Sequence, residues 1–462
     1  MKEIQTSPVL LKPLTNYSKA YYAFVGILFG IVGLGAYAYS VQLQDGLAVT
    51  AMRNNVLWGL YITNFVFFIG ISHVGALMSA ILRLSGAEWR KPITRMAEAI
   101  TACSLAVGAT MPIVDLGRPD RILNILFYGR IQSPILWDFI SIGTYLTGSL
   151  VFLLLPMVPD TALLRDRLGG VSAIRRRLYK VFSFGWTGTA YQHEKLEKAI
   201  GVMTVLIIPI AISVHTVVSW IFAMTLRVGW NSSVFGPYFV AGALLSGVAS
   251  VILAMAFFRH FYRLDSYITT KHFSNLANLM LAMIVVYVYF TLNEYLTPAY
   301  KWETSEGQLL SVLFTGDFSI LFLSVQILGL IVPAILLSLP RTRNILGYSV
   351  ASALVVVGMW IKRFLVIIPT LARAQVGEFW ATYHPTWVEW SITAASIAGF
   401  ILLYAVFSRV FPIVSIWETE GITEEPSDFT GPSVTSGGFG FSAERSDALT
   451  RQDDGGVDYV GQ

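Results

Sequence analysis

The feature that most constrains this chain is a series of apolar segments, each long enough to form a helix across a lipid bilayer. Such a helix needs about 20 apolar residues, because the hydrocarbon core is about 30 Å thick. Ten segments come close to this length: 21–42, 57–82, 96–114, 134–157, 199–225, 237–258, 275–292, 316–339, 345–369 and 387–410. Only 13% of the residues are charged, against about 25% in a soluble domain. The sequence therefore predicts an all-α, polytopic membrane protein with about ten transmembrane helices.

Lysine and arginine are distributed unevenly between alternate loops, which predicts the orientation in the membrane. If the N-terminus is inside, the basic stretches 83–95, 165–198, 259–271 and 341–343 fall on the cytoplasmic side. The opposite loops carry far fewer basic residues: Arg53, Arg118, Arg121, Arg130, Arg227, Lys301 and Arg373. Cytoplasmic loops normally carry the excess. We therefore predict that both termini are cytoplasmic, and we call the opposite end of each helix its outer end.

Composition divides the chain, in order, into a cytoplasmic N-terminal segment, helices one to four, a cytoplasmic loop, helices five to eight, helices nine and ten, and a tail. The bounds of these parts are 1–20, 21–157, 158–198, 199–339, 340–418 and 419–462. The loop is basic and amphipathic, which favours a hairpin or a surface helix. The tail is polar and rich in Gly and Ser, so it cannot bury a core and is predicted to be extended. The N-terminal segment lacks the apolar core and cleavage site of a signal peptide, so we expect no cleavage.

Several classes of function find no support in the residues. The single cysteine, Cys103, excludes a disulfide framework and an iron–sulfur cluster held by this chain alone, since a cluster needs about four thiolates. There is no Walker loop, nucleophile elbow or HExxH motif, and no metal site is predicted. The net charge of +4 does not indicate binding to nucleic acid. A b-type haem held by His73 and His215 stays open as an alternative, although such helices usually supply two histidines each.

Charged and imidazole groups at membrane depth are the first candidates for function, since each costs about 2.5–3.5 kcal/mol or more to place there. His73 lies in the middle of the second span, where it either bonds a neighbouring helix or handles protons beside a quinone. Asp115 ends the third span, as an ion-pair partner of Arg118 or as a site residue. Asp138 lies one turn inside the fourth span and needs a partner, for which Arg118 and Arg121 are candidates.

A second set of ionisable residues at membrane depth are candidates for a proton path: Glu98, His215, Glu294 and Lys362. Glu98 has a simpler interpretation as the partner of Arg95 near the inner interface. Lys362 and Arg363 are adjacent in the ninth span and point in different directions. We expect at least one of them to extend its charged end to an interface. Trp137, beside Asp138, is either an interfacial anchor or part of the same site.

Three motifs then carry a resemblance to a known family. The stretch "MPIVDLGRPDR", residues 111–121, ends the third span, and "SPILWD", residues 133–138, opens the fourth. The second span, "WGLYITNFVFFIGISHVGALMSAILRL", fits the same pattern, as does "SGAEWRKPITRMAEAIT" after it. Together these motifs resemble the NrfD/polysulfide reductase (PsrC-like) family of membrane subunits. The resemblance covers about residues 20–415 by hydropathy and is most specific across 57–160.

Within that family, ten spans and "FPIVSIWE" after the last look most similar to ActC, the quinol-binding subunit of alternative complex III. The resemblance implies a multi-pass protein of the bacterial plasma membrane, surrounded by lipid, that holds no haem or iron–sulfur cluster. It also implies three kinds of partner: c-type haem subunits, a periplasmic-side iron–sulfur subunit and a second NrfD-like subunit. Menaquinol, or ubiquinol, would bind near the outer surface and be oxidised there.

The resemblance assigns roles to six of the candidate residues. Asp115, Asp138 and His73 would take up quinol hydrogens, while Arg118, Arg121 and Trp137 would bind the quinol or tune the carboxylates. One position departs from the subfamily, since many alternative complex III subunits have His where this chain has Asp115, and the wider family commonly has Asp. Which group accepts the quinol proton is therefore left open.

Three other functions stay open. A quinone-reducing subunit of a polysulfide, molybdoenzyme or menaquinone reductase complex would use the same site in reverse. A secondary transporter should show two inverted halves with broken helices, and no such symmetry is visible. A membrane anchor would keep the fold without any chemistry. In each redox case the chain is a subunit of an oxidoreductase complex rather than an enzyme alone, with proton translocation as a further role.

Overall fold

The computed structural model describes residues 8–374 and 379–420, and this part of the chain is built of helices. Ten of them are long and apolar enough to cross a membrane, which confirms the expected number. They are α1 (Lys19–Asp45), α2 (Leu60–Leu84), α3 (Lys91–Asp115), α4 (Pro134–Arg167), α5 (Ala190–Ala223), α6 (Phe235–Tyr262), α7 (Thr270–Lys301), α8 (Ser319–Ser338), α9 (Ile345–Ala372) and α10 (Trp387–Val410). Shorter helices cover Pro8–Thr15, Asn124–Tyr128, Ala173–Phe182, Thr304–Phe314 and Ile416–Glu420.

The connection between α4 and α5 is shorter than the sequence predicts. The loop expected over 158–198 is reduced to 168–189 and carries the helix Ala173–Phe182. Two prolines, Pro156 and Pro159, lie inside α4 and suggest an earlier end. The helix nevertheless continues, because the residues that follow them pack in an apolar cluster with the first turns of α5. Tertiary burial here outweighs the local preference of proline to end a helix.

The helices pack as two groups of four with a separate pair. Helices α2–α5 form one group and α6–α9 the other, while α1 packs along α10. Helix α2 contacts α3, α5, α6 and α9 and is buried along almost its whole length. The division expected between helices eight and nine therefore does not separate packing units, since α9 belongs with α6–α8 and α10 with α1. The tail expected from 419 is described only to residue 420, and the rest of that prediction lies outside the described residues.

Small residues allow a close helix contact between α2 and α3. A Cβ atom added at Gly75 would overlap the carbonyl of Ala97 and the hydroxyl of Thr101 on α3. Close approach at small residues is a common way for helices to associate in a membrane, where apolar surface alone does not distinguish protein from lipid. Gly75 therefore sets the distance between α2 and α3, which carry the candidate residues His73, Glu98 and Asp115.

We expect Gly75→Ala to destabilise the protein by about 1–3 kcal/mol, the usual cost of overpacking a filled core. Gly33→Ala in α1 is the matched control, because no atom lies within 4 Å of the added Cβ atom there. Thermal unfolding in detergent measures both variants. Equal melting temperatures for the two would contradict the close α2–α3 contact.

A buried ion pair holds the chain after α10 against the inner ends of α3 and α4. Arg95 in α3 donates to the carboxylate of Asp160 in α4, and both side chains are almost fully buried. The same carboxylate accepts the backbone N–H groups of Ile416 and Trp417, each at 3.0 Å. Arg95 is therefore the partner of Asp160 and not of Glu98, which corrects the expected pairing.

The helix Ile416–Glu420 adds a second connection at this end. Glu418 accepts from Arg83 at 2.7 Å and from Arg90 at 3.2 Å, so that it joins the ends of α2 and α3. Its side chain is only 6% exposed, which limits screening by solvent. The segment that follows α10 is thus part of the folded membrane protein as far as residue 420.

Candidate functional site

Asp138 lies one turn inside the outer end of α4, as the sequence predicts. Its side chain is 7% exposed, and Oδ1 has no hydrogen-bond partner among the residues that the structure describes. Pro134 begins the helix, which positions the carboxyl group just inside the group α2–α5. Beside it, the indole N–H of Trp137 donates to the carbonyl of Ile131 and holds the approach to the helix. A buried carboxyl oxygen without a donor is a ready acceptor for a hydroxyl hydrogen.

The basic residues of the neighbouring turn do not supply that donor. Arg118 donates to Asp120 at 3.0 and 3.1 Å, and both side chains are more than half exposed. This pairing lowers the pKa of Asp120 and raises that of Arg118 through their mutual hydrogen bonds. Arg121 is exposed on the same turn. The expected pairing of Arg118 with Asp115 or Asp138 is therefore wrong, because Asp120, two residues away, is the nearer partner.

Asp115 ends α3 and is half-buried. Its Oδ1 atom also lacks a hydrogen-bond donor within the described ranges. Next to it, Gln42 of α1 donates to the carbonyl of Val114 at 2.7 Å and accepts from Tyr61 of α2 at 2.6 Å. A carboxylate is poorly placed to cap a helix C-terminus, where the helix dipole is negative. The ion-paired cap considered from the sequence is thus not what Asp115 forms.

Sequence reasoning missed Glu389, which lies in the first turn of α10 and is fully buried. Its carboxylate accepts from the hydroxyl of Tyr383 at 2.5 Å and from the N–H groups of Ala51 and Thr386 at 2.7 and 3.0 Å. The Tyr383 hydroxyl also accepts the N–H of Leu60, the first residue of α2, at 2.9 Å. The signal available was "TWVE", a capping box at the start of an apolar run.

The Glu389 network ties together three separate parts of the chain at one end of the molecule. Burial and the adjacent Glu389 carboxylate raise the pKa of Tyr383, so its hydroxyl keeps the proton that it donates. Glu389 also lies close to Asp115. The network therefore forms a hydrogen-bonded wall beside the end of α3.

His73 lies deeper than the two aspartates. Its ring nitrogens are each 2.7 Å from a backbone carbonyl oxygen, Nδ1 from Ile69 and Nε2 from Ala211 of α5. Tyr145 of α4 packs on the same ring and donates to the carbonyl of Ser72 at 2.9 Å. Tyr145 follows Asp138 by seven residues, or about 10 Å along the helix axis. The three proposed catalytic residues therefore do not form one cluster, and His73 occupies a helix–helix contact below the aspartates.

The paired histidines do not fit the haem alternative. The rings of His73 and His215 are 4.4 Å apart between centroids and inclined at 61° to each other. Both His73 nitrogens face backbone carbonyls, so an iron ligand would have to replace one of these contacts. The arrangement leaves no space for a macrocycle between the two rings.

The candidates for a proton path are spread over three places. Glu98 is buried near the inner end of α3, and its Oε1 lacks a partner in the part of the chain described. His215 is buried beside His73. Glu294 and Lys362 line a cavity in the other helix group.

Lys362 and Arg363 are only 2% and 3% exposed, so neither extends to an interface as expected. Arg363 lies instead on the ring of Phe239, at 4.7 Å.

Comparisons with known proteins agree with this architecture. The family model for polysulphide reductase, NrfD, matches residues 48–375. A relative in Halobacterium salinarum, provisionally named as a membrane subunit of dimethyl sulfoxide reductase, is 29% identical over 83% of this chain and 89% of its own. The Hdr-like menaquinol oxidoreductase integral membrane subunit of Archaeoglobus fulgidus is 22% identical over 90% of this chain and 100% of its own.

A third relative, the menaquinone reductase integral membrane subunit of Nitratidesulfovibrio vulgaris, is 24% identical over 85% of this chain and 90% of its own. The match to the family model covers well over half of the chain and includes α2–α9, which form both helix groups. The ten long apolar helices are consistent with a position in the plasma membrane. The chain therefore belongs to the NrfD polysulphide reductase family and is a multi-pass integral membrane protein.

Proposed function

We propose that this chain is the quinol-binding membrane subunit of a respiratory or photosynthetic electron-transfer complex. The observation that carries the proposal is the buried Oδ1 atom of Asp138, which has no hydrogen-bond donor among the described residues. A quinol loses two protons when it loses two electrons, so its site must offer a proton acceptor close to a hydroxyl group. Asp138 offers a buried carboxyl oxygen with no donor among the described residues.

The names of the relatives support a quinone as the substrate. Two of the relatives are named for menaquinol and menaquinone, and we therefore propose menaquinol for this chain. Their names differ in direction, one an oxidoreductase and one a reductase. We propose quinol oxidation, with electrons leaving to an iron–sulfur subunit on the outer side and then to c-type haem subunits. The proposed complex also contains a second NrfD-like subunit. The reverse reaction is the second candidate, favoured by the relative named as a reductase.

The chain's own residues would act in sequence from the membrane outward. Asp138 accepts a hydrogen bond from the quinol hydroxyl and then its proton. Asp115, at the end of α3, is a second acceptor nearer the surface. Arg118 and Asp120 lie exposed on the turn between them, where they are accessible to a partner protein.

His73 would hold α2 against α5 below the quinol, through its bond to Ala211. Protons released through Asp115 would leave on the outer side, whereas a path through Glu98 stays a prediction.

The test is the composition of the complex purified through this chain. We expect c-type haem, extractable menaquinone and an iron–sulfur subunit, together with oxidation of a short-chain menaquinol by the complex. The spectrum should contain no b-type haem assigned to this chain. Bound b-type haem on this chain, or a complex that neither binds nor oxidises quinol and does not reduce quinone, would overturn the proposal.

A further inference from the structure

A cavity of about 320 Å³ lies in the other helix group, away from Asp115 and Asp138. Its walls are formed by the first turns of α6, the last turns of α7 and α9, and the helix Thr304–Phe314. Topology predicts that these ends are the outer ones. The volume falls within the range of about 300–1,000 Å³ that is typical of small-molecule sites. The cavity is thus large enough for a ring-sized ligand.

Lys362 is a buried cation in the cavity wall, and it is held in place by aromatic groups. Its Nζ atom donates to the hydroxyl of Tyr295 at 2.6 Å. The same atom lies 4.8 Å from the ring centroid of Tyr295 and 5.4 Å from that of Tyr238. A neutral phenol thus accepts its hydrogen bond, and an ammonium group has three hydrogens to donate. Lys362 therefore keeps donor capacity for a ligand in the cavity.

Two carboxylates line the same cavity with unused acceptor capacity. Glu294 on α7 and Glu306 on the helix Thr304–Phe314 each have a buried Oε2 atom without a donor among the described residues. Buried acceptors are normally satisfied, and leaving one unpaired is unfavourable. The two residues belong to different elements, so a molecule lying between the walls can reach both. A ligand with hydroxyl hydrogens would supply the missing donors.

The rest of the wall is partly apolar, and the charges restrict the ligand further. Leu309, Leu313 and Leu365 are buried and face the cavity together with Phe235. The Lys362 ammonium would repel a simple cation, and the two carboxylates would repel a simple anion. A neutral flat ligand with both acceptors and donors fits this lining best.

We propose that this cavity is a second quinone-binding site, separate from the one at Asp138. Lys362 donates to a carbonyl oxygen of the quinone, and Glu294 or Glu306 accepts a hydroxyl hydrogen of the quinol. The site therefore holds either redox state. The leucine wall accommodates the ring edge. The proposal rests on the proposed function only in taking a quinone as the ligand, and it assigns no electron transfer to the second site.

The experiment measures how much quinone the intact complex binds. The complex is stripped of quinone, reconstituted into vesicles containing menaquinone, recovered, and extracted for its quinone content per complex. We expect about twice as much quinone bound to the wild type as to the Lys362→Met variant. Asp138→Asn should lower occupancy at the other site only, and Lys362→Met with Asp138→Asn should lower both. The control is Lys271→Met, which makes the same substitution at the end of α7 that is far from the cavity. It should leave the amount of bound quinone unchanged.

The outcomes separate the two proposals. Loss of quinone on Asp138→Asn but not on Lys362→Met overturns the second site and keeps the proposed function. Loss on Lys362→Met alone keeps the second site and counts against the function assigned to Asp138. If Lys362→Met does not assemble, an azido-quinone cross-linked to the wild-type complex decides. Labelled peptides from 294–313 or 362–370 support the second site, and their absence, or extraction of phospholipid alone, overturns it.

Discussion

Asp138→Asn is expected to reduce the rate of quinol oxidation by more than about tenfold while the complex still assembles, since general-base groups typically contribute about 10²–10⁴-fold. The amide has nearly the same shape as the carboxyl group, so the packing of α4 should be preserved. It cannot accept a proton, and it adds hydrogen-bond donors where the carboxyl oxygen is an acceptor. Steady-state oxidation of a short-chain menaquinol by the purified complex measures the effect.

The control for this prediction lies at the other end of the same helix. Asp166→Asn changes an exposed carboxylate that is paired with Arg165, and its effect on the rate should be less than about twofold. If Asp138→Asn also leaves the rate unchanged, the chain is an anchor in which this carboxyl group does no chemistry. A large loss in Asp115→Asn together with a small one in Asp138→Asn would move the proton acceptor to the end of α3.

Arg95→Met is expected to lower the free energy of unfolding by about 3–5 kcal/mol, the usual effect of removing one partner of a buried ion pair. Methionine fills a similar volume but leaves the Asp160 carboxylate buried without its guanidinium group. That carboxylate also holds the backbone of Ile416 and Trp417, so the segment after α10 should loosen as well. Thermal unfolding in detergent and protease sensitivity near residue 416 measure the two effects.

Two further variants isolate the cause. Arg95→Met combined with Asp160→Asn removes the unpaired charge and keeps a carbonyl oxygen for the backbone N–H groups, so it should recover part of the loss. Lys198→Met breaks an exposed pair with Glu194 and should leave the melting temperature nearly unchanged, because solvent screens such a pair. A destabilisation by Arg95→Met as small as that of Lys198→Met would show that the buried pair contributes little.

The helical architecture was predictable because it depends on the length and total hydropathy of each segment. Twenty apolar residues must become a helix in a bilayer, whatever they pack against, since the backbone has no other hydrogen-bond partners there. The ten spans could therefore be predicted. The family could be predicted from the motifs at 111–121 and 133–138. The exceptions are local: α4 extends past Pro156 and Pro159 because its continuation is buried against α5. Asp115 and Asp138 could be identified as candidates because a carboxyl group stands out in an apolar segment.

Partners could not be predicted in the same way, because they depend on which distant residues the fold brings together. Arg95 pairs with Asp160, 65 positions along the chain, although Glu98 is one helical turn away. Glu389 reaches Ala51 across 338 positions. Lys362 points into a cavity formed by three other elements rather than to the membrane surface. The sequence by itself thus determined the membrane-spanning helices and marked the costly polar groups, since burial in lipid is a property of each segment. Only the tertiary structure decided which of those groups are satisfied and which keep a free oxygen for a ligand, because hydrogen bonding in a low-dielectric core depends on contacts between helices.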